Sequence, residues 1–342
     1  MDKIAHETNG KSFKTFKYSF DSVGVPSFDY DDNQEIIWER IGETVTYRKT
    51  INLADKAKQI SAHEPLFRYF LDGSRRVFKV DDIAYRNQVF PVIAGQIGIG
   101  CCQRKSKEMK PLHYNRRLSI ALPKIANQND WHKELFFANL LKKVNTDSLL
   151  QSRGIAFTDI VSYKNKKDEG EKLENKGIAA IQVVDLKNER ELRNFRNNYR
   201  WVVGASKSFN PENCMDHKGK NNSNQIVDLQ LYHRTPVSMY SSPRIGNMKF
   251  AVWYVRVRDK IHTTNAFDGI LKLEKILVTE EQIAHGVDTE EVDLITSNII
   301  NERNPVCYAS DFRWANHLYP VYVTESYVKS KYMSNTMFLS LF

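Results

Sequence analysis

The sequence predicts an α/β protein built on one central mixed sheet with flanking helices. Three observations lead there. Short apolar runs rich in Val, Ile and aromatics follow one another early in the chain. Segments with helical spacing of apolar residues come between later runs of the same kind. Neither class dominates, and strands that alternate with helices belong to α/β architectures. The first runs are Phe67–Leu71, Arg76–Val80, Val89–Cys102 and Leu118–Leu122. Short polar links separate them, so they read as adjacent antiparallel strands. Asp130–Val144 places Trp131, Leu135, Ala138 and Leu141 at helical spacing. Leu53–His63 has helical composition without breakers, and Thr289–Asn301 and Glu325–Met333 look helical too. Ile178–Val184 is an apolar run, Trp201–Ala205 a strand candidate, and Phe250–Val257 with Ile270–Leu277 a strand pair. Tyr163–Lys176 and Asn210–Asn224 are charged or polar connections.

Composition bounds the function. The 342 residues carry 50 Lys and Arg against 41 Asp and Glu, a net charge of +9. That length allows about two domains or one large core, and 41% apolar residues exclude a disordered chain. A basic balance suits a polyanionic partner without choosing among polyanions. The longest uncharged apolar stretch, Val89–Cys102, is shorter than the roughly 20 residues that cross a bilayer. The first residues lack an apolar leader. Cys101, Cys102, Cys214 and Cys307 form no CxxC pair, as expected of free thiols in a cytoplasmic protein.

Candidate chemistry centres on Asp72. It follows an apolar run and precedes Gly73-Ser74. At a strand end its carboxylate would be open to a hard divalent cation, and the glycine would admit a close neighbour. The competing reading is an ordinary Asp-Gly turn. Asp185 follows the run Ile178–Val184 and reads as a second strand-end acid, with Glu189 and Glu191 close behind. Lys207, in Gly204-Ala-Ser-Lys-Ser208, is placed to neutralise a phosphate beside such carboxylates. Arg75, Arg76, Arg234, Arg256 and Arg258 are candidate phosphate contacts. Asp216, His217, Asp228 and His233 carry weaker signals. No HExxH, P-loop, GxSxG or zinc spacing is present.

Taken together these pieces resemble the NurA nuclease family. The resemblance runs through Phe70-Leu-Asp72-Gly-Ser74, Trp201-Val-Val-Gly-Ala-Ser-Lys207, Phe250-Ala-Val-Trp-Tyr-Val-Arg256, Leu271-Lys-Leu-Glu274 and His317-Leu-Tyr-Pro-Val-Tyr-Val-Thr-Glu325. It spans residues 65–335, and the order and spacing of the motifs carry it. It implies an RNase H-like mixed sheet in a nuclease domain over 61–342, preceded by a mixed segment over 1–60. It implies Mg2+- or Mn2+-dependent DNA cleavage, a homodimer, and a HerA-type hexameric ATPase as partner, in DNA end processing or antiphage defence. Asp72 and Asp185 would hold the metal, with Glu189 and Lys207 completing the catalytic set. The chain departs from the family between Ile178 and Tyr199. That region is short for a helix with a Glu followed by a second Asp-Gly-Ser motif. Val184-Asp185-Leu186 stands where that motif would be, without Gly-Ser. The alternative is therefore a DNA- and ATPase-binding subunit with weak or lost catalysis. The apolar C-terminus, Met337–Phe342, is expected to dock on a partner subunit or the ATPase.

Overall fold

The computed structural model describes residues 1–19, 37–45, 49–127, 133–165, 173–185, 200–207, 209–216, 218–242, 248–263, 265–303 and 312–342. The class is the expected one, a mixed α/β fold with helices flanking a mixed sheet. The strands form two sheets rather than the one central sheet expected, the first mixed and the second antiparallel.

The first sheet joins β1 (Lys11–Ser12), β2 (Tyr18–Ser19), β5 (Tyr69–Tyr85), β6 (Gln88–Lys105), β7 (Glu108–Pro123) and β8 (Asp159–Tyr163). Strands β5, β6 and β7 are an antiparallel meander, and β8 runs parallel to β7. Phe67–Leu71 and Arg76–Val80 turn out to be one strand, because β5 pairs with β6 from Tyr69 to Tyr85 without a turn at Asp72-Gly73. Ladder hydrogen bonding outweighs the turn propensity of the Asp-Gly pair. Arg86 and Ser106 take left-handed φ values of 55° and 56° in the two tight hairpin turns.

The second sheet contains β3 (Ile37–Ile41), β4 (Ile51–Asn52), β9 (Gly204–Ser206), β10 (His233–Arg234), β11 (Ser238–Ser242), β12 (Met248–Arg256) and β13 (Ile270–Ile276), all antiparallel. Residues 1–60 thus supply strands to both sheets. The helices are α1 (Asp2–Glu7), α2 (Ala54–Ile60), α3 (Lys133–Val144), α4 (Ser148–Ser152), α5 (Leu173–Asp185), α6 (Ser223–Val227), α7 (Glu280–His285), α8 (Thr289–Asn301), α9 (Tyr319–Ser330) and α10 (Asn335–Leu339).

Each sheet has its own core. Phe78, Ile83, Phe90, Ile93, Ile120 and Leu122 centre the first, against α3 and α5. Leu271, Leu273, Trp253 and Val255 centre the second, against α8. Trp253 buries its ring and donates from Nε1 to Thr296 Oγ1 at 2.9 Å, so its polar atom is satisfied. A buried ion cluster stiffens this sheet. Arg234 donates from Nε to Asp293 Oδ1 at 2.6 Å and from Nη2 to Glu43 Oε2 at 2.9 Å. Arg256 is buried too and donates to the carbonyls of Leu229, Val227 and Asp268. Neither arginine is a phosphate contact: both are 0–1% exposed and spend their donors inside the fold.

Among the described residues, two tethers between the sheets matter for the site. Arg104 at the end of β6 forms a forked ion pair with Glu302, the residue after α8, with Nη1 at 2.6 Å from Oε1. Helix α9 is the other, and it builds the site described below.

The C-terminus folds back on its own core rather than standing free for a partner. Phe338 is fully buried, and its ring lies 5.1 Å from that of Phe78. The Phe342 ring lies 5.6 Å from that of Phe157. Phe338→Ala should therefore cost about 3–5 kcal/mol of stability. Urea denaturation checks this. An unchanged midpoint would show that α10 is not part of the core.

Candidate active site

The site forms where three elements meet, and the register of the first sheet explains why. Asp72 on β5 lies opposite Gly100 on β6, which lies opposite Tyr114 on β7. Ser74 pairs with Gly98, and Arg76 with Gln96. Residues directly opposite share a face, so Asp72, Gly100 and Gly98 belong to one face. Helix α9 packs on that face. Pro320, Thr324 and Val328 form its buried stripe, four residues apart. The proline sits in the first turn, where its fixed φ favours helix initiation.

Gly98 and Gly100 make this approach possible. A Cβ at Gly100 would lie 2.5 Å from Val328 Cγ2, and one at Gly98 would lie 2.7 Å from Val328 Cγ1. No side chain other than hydrogen fits beneath Val328 at this spacing. Two further contacts hold the helix end. The fully buried Gln96 donates from Nε2 to the Met333 carbonyl at 3.1 Å and accepts from the Met333 N–H at 2.9 Å. Tyr332 donates its hydroxyl proton to the Ser74 carbonyl.

This seat sets Glu325 and Lys329 beside Asp72. The two are one helical turn apart, and Lys329 Nζ lies 2.7 Å from Glu325 Oε1. Lys207 arrives from the second sheet, one residue past β9. Its Nζ lies 3.1 Å from Glu325 Oε2, and both partners are largely buried, at 19% and 15% exposure. Asn316 fixes the Lys207 backbone by donating from Nδ2 to its carbonyl at 2.7 Å. Asp72 is half-buried, and its Oδ1 accepts the Gly73 N–H at 2.9 Å.

The electrostatics split the two acids. Burial pushes the Asp72 carboxyl up to about 6, and the Glu325 charge adds to the rise; Lys207, the Gly73 N–H and Lys329 oppose it only in part. Burial also acts to raise Glu325, but the Lys207 and Lys329 ammonium groups outweigh it and hold that carboxyl at about 2. One carboxylate is therefore fixed in its charged form, and the other titrates near neutrality. Such a divergence between neighbouring acids marks functional sites.

The other sequence-based candidates fall elsewhere. Ile178–Val184 is not a strand but part of α5, and Asp185 is its last residue. An apolar run of that length does not separate a buried strand from a buried helix. Helix α5 packs on the opposite face of the sheet: Gly177 meets Ile93, and Ile181 meets Gly95. Positions 93 and 95 face away from Gly98 and Gly100. The Asp185 side chain, Glu189, Glu191 and His217 lie outside the described residues. Asp216 closes its own loop by accepting the Lys218 and Lys220 N–H groups. Asp228 makes an exposed ion pair with Lys260. Glu325 and Lys329 were not singled out as site residues from the sequence. Their i,i+4 spacing has the look of a solvated helix pair, and only the Gly98/Gly100 pair hints that this helix face is buried.

Asp72 and Glu325 fit a small divalent cation in one respect. Mg2+ is commonly held by one or two carboxylates together with waters and substrate phosphates. Among the described residues no group of three His, Cys, Asp or Glu side chains could hold a metal. Any further ligand would come from the substrate, from water or from outside those residues.

No protein-family profile matches the sequence, and no curated protein matches it. Among solved structures the chain is similar to the NurA nuclease from Sulfolobus solfataricus, at 13% identity and a TM-score of 0.39, over 84% of this chain and 89% of that one.

The raised Asp72 carboxyl carries a stability consequence. Its folded value lies above the model-peptide value of 3.8, so the folded state loses stability as pH rises from about 4 to about 6. Asp72→Asn should remove that cost. We expect the variant to be more stable than wild type by up to about 2 kcal/mol at pH 7, and equal to it at pH 4. Paired melting curves at the two pH values test this. Equal stability at pH 7 would mean that Asp72 is not desolvated.

Proposed function

We propose that this chain is a Mg2+- or Mn2+-dependent nuclease that hydrolyses DNA phosphodiester bonds at Asp72, Glu325, Lys207 and Lys329. The observation that carries the reading is the half-buried carboxylate pair, drawn from two different elements and framed by two lysines. This combination suits phosphodiester hydrolysis, because positive groups and a carboxylate-held cation offset the negative charge that the transition state gathers on a substrate that is already anionic.

Each residue has a role. Asp72 and Glu325 would hold the cation, which supplies charge neutralisation and an activated water when bound. Lys207, ion-paired with Glu325 in the free protein, would share its ammonium with a phosphate oxygen when substrate binds, and Asn316 keeps its backbone in position. Lys329 is 46% exposed and faces the solvent side of the cluster, suited to a flanking phosphate. Asp72, with its carboxyl near 6, can accept a proton when no cation is bound. The net charge of +9 favours capture of a polyanion. The resemblance of the sequence motifs to the NurA family extends the proposal to a homodimer, a HerA-type ATPase partner and a place in DNA end processing or antiphage defence.

Cleavage of labelled DNA with Mn2+ or Mg2+ tests the core of the reading. Asp72→Asn and Glu325→Gln should each lower the rate at least about a hundredfold, and Lys207→Ala about tenfold or more. The double variant should lose little beyond either single one, because members of one site act as a unit. Asp185→Asn should retain most activity, since α5 lies across the sheet. If wild type shows no cleavage with either cation, the chain is instead a DNA-binding subunit. If Asp185→Asn matches Asp72→Asn, the metal site extends beyond the cluster named here.

The proton competes with the cation at Asp72. Metal affinity should rise with pH through about 6 and level off above it. Calorimetric titration of Mn2+ at pH 5 and pH 7.5 measures this, and equal affinities would remove Asp72 from the ligand set.

A further inference from the structure

Strand β9 is an edge of the second sheet. Among the described residues it pairs with β13 alone, and no strand lies along its other side. The chain from Arg200 to Ala205 follows this edge, and each of its residues except Val203 is exposed. Trp201 is 79% exposed, whereas Trp38, Trp253 and Trp314 are buried or half-buried. Its ring is held all the same. The Arg200 guanidinium lies over it, 5.1 Å from the ring centroid. Lys275 on β13 pins the backbone at this point. That lysine is 2% exposed, lies 3.2 Å from Glu291 Oε1 and donates from Nζ to the Arg200 carbonyl. A buried, ion-paired lysine thus fixes the backbone that presents a tryptophan to solvent.

The edge leads to the cleavage cluster. Lys207 follows Trp201 by six positions, a span of at most about 20 Å. Between them Gly204 and Ala205 make a low, exposed floor. No Asp or Glu occurs from Arg200 to Ser208. Glu274, which pairs with Gly204 in the ladder, is already met by Lys272 Nζ at 2.7 Å and by the Tyr240 hydroxyl at 3.0 Å. An extended peptide added to this edge would need pockets for alternate side chains, and Gly204 and Ala205 are too small to wall them. A single strand of nucleic acid needs an aromatic face for a base, a cation beside it and a low path for its backbone. All three are present in order along the chain. We infer that the β9 edge guides a single strand into the cleavage cluster, with Trp201 stacking on a nucleobase and Arg200 lying beside a phosphate. The inference rests on the phosphodiester reading given above. It deepens that reading by naming single-stranded nucleic acid as the form of substrate that meets the cluster.

The test is fluorescence anisotropy with a labelled oligothymidylate of about 20 nucleotides in EDTA, so that nothing is cut. Wild type should bind, and Trp201→Ala should weaken binding about tenfold. Trp201→Phe, which keeps an aromatic face, should stay within about threefold of wild type. Intrinsic tryptophan fluorescence gives a second readout. The oligonucleotide should quench it in wild type and leave it nearly unchanged in Trp201→Phe, whose remaining described tryptophans are buried or half-buried. Far-ultraviolet circular dichroism checks that each variant is folded. An absence of binding by wild type, or wild-type affinity in Trp201→Ala, would overturn the inference. So would a change of oligomeric state in Trp201→Ala with oligonucleotide binding intact, which would assign the edge to a second copy of the chain. The two readings fail separately. Cleavage that depends on Asp72, with unaltered binding by Trp201→Ala, removes the β9 track alone. Trp201-dependent binding by a wild type that never cleaves removes the cleavage reading alone.

Discussion

The close contact between Val328 and the Gly98–Gly100 stretch of β6 is the constraint on which the site depends. A helix resting on a sheet is normally held off by side chains on both surfaces. Two glycines on one face of β6 remove one layer of those side chains and let α9 settle lower. The lower seat brings Glu325 level with Asp72 and within reach of Lys207 from the other sheet. Gln96, Ser74 and Met333 then fix the far end of the helix through hydrogen bonds that leave no polar atom of the buried glutamine unpaired.

The charges in the cluster explain each other. Glu325 alone at 15% exposure would be costly to ionise, and two ammonium groups make its charge favourable. Those lysines are spent mainly on Glu325, so Asp72 is only partly compensated and stays near neutrality in its titration. The arrangement keeps one acid poised and one fixed. That division sets a proton-exchanging acid beside a permanent negative charge, and it comes at a cost in stability localised at Asp72.

Much of this was legible in the sequence, and the rest was hidden for physical reasons. The α/β class followed from the order of apolar runs and helical segments. Asp72 stood out through its Gly-Ser neighbours, and Lys207 through its small-residue context, although the turn suggested by Asp-Gly does not form. Strand length was underestimated because turn propensity acts locally, whereas the pairing partner that overrides it is some 20 to 30 residues away. Ile178–Val184 has an apolar pattern that fits either a buried helix or a buried strand, so the strand-end setting expected for Asp185 is in fact the end of α5. Glu325 and Lys329 were invisible as site residues, because nothing in their spacing separates a helix pair facing solvent from one facing a carboxylate. The arginines of β10 and β12 looked like phosphate contacts, but the sequence does not reveal that Glu43, Asp293 and three backbone carbonyls already claim them.

The most direct measurement is the pKa of Asp72, read by carbon-detected NMR in wild type and in Gly100→Ala. The added methyl group must lift α9, since it would otherwise stand 2.5 Å from Val328 Cγ2. Lifting the helix rehydrates Asp72 and moves Glu325 away, so both causes of the raised value weaken together. The account predicts about 6 in wild type and a fall toward 3.8 in the variant, with the fold retained. A value near 3.8 in wild type, or the same raised value in both proteins, would contradict it.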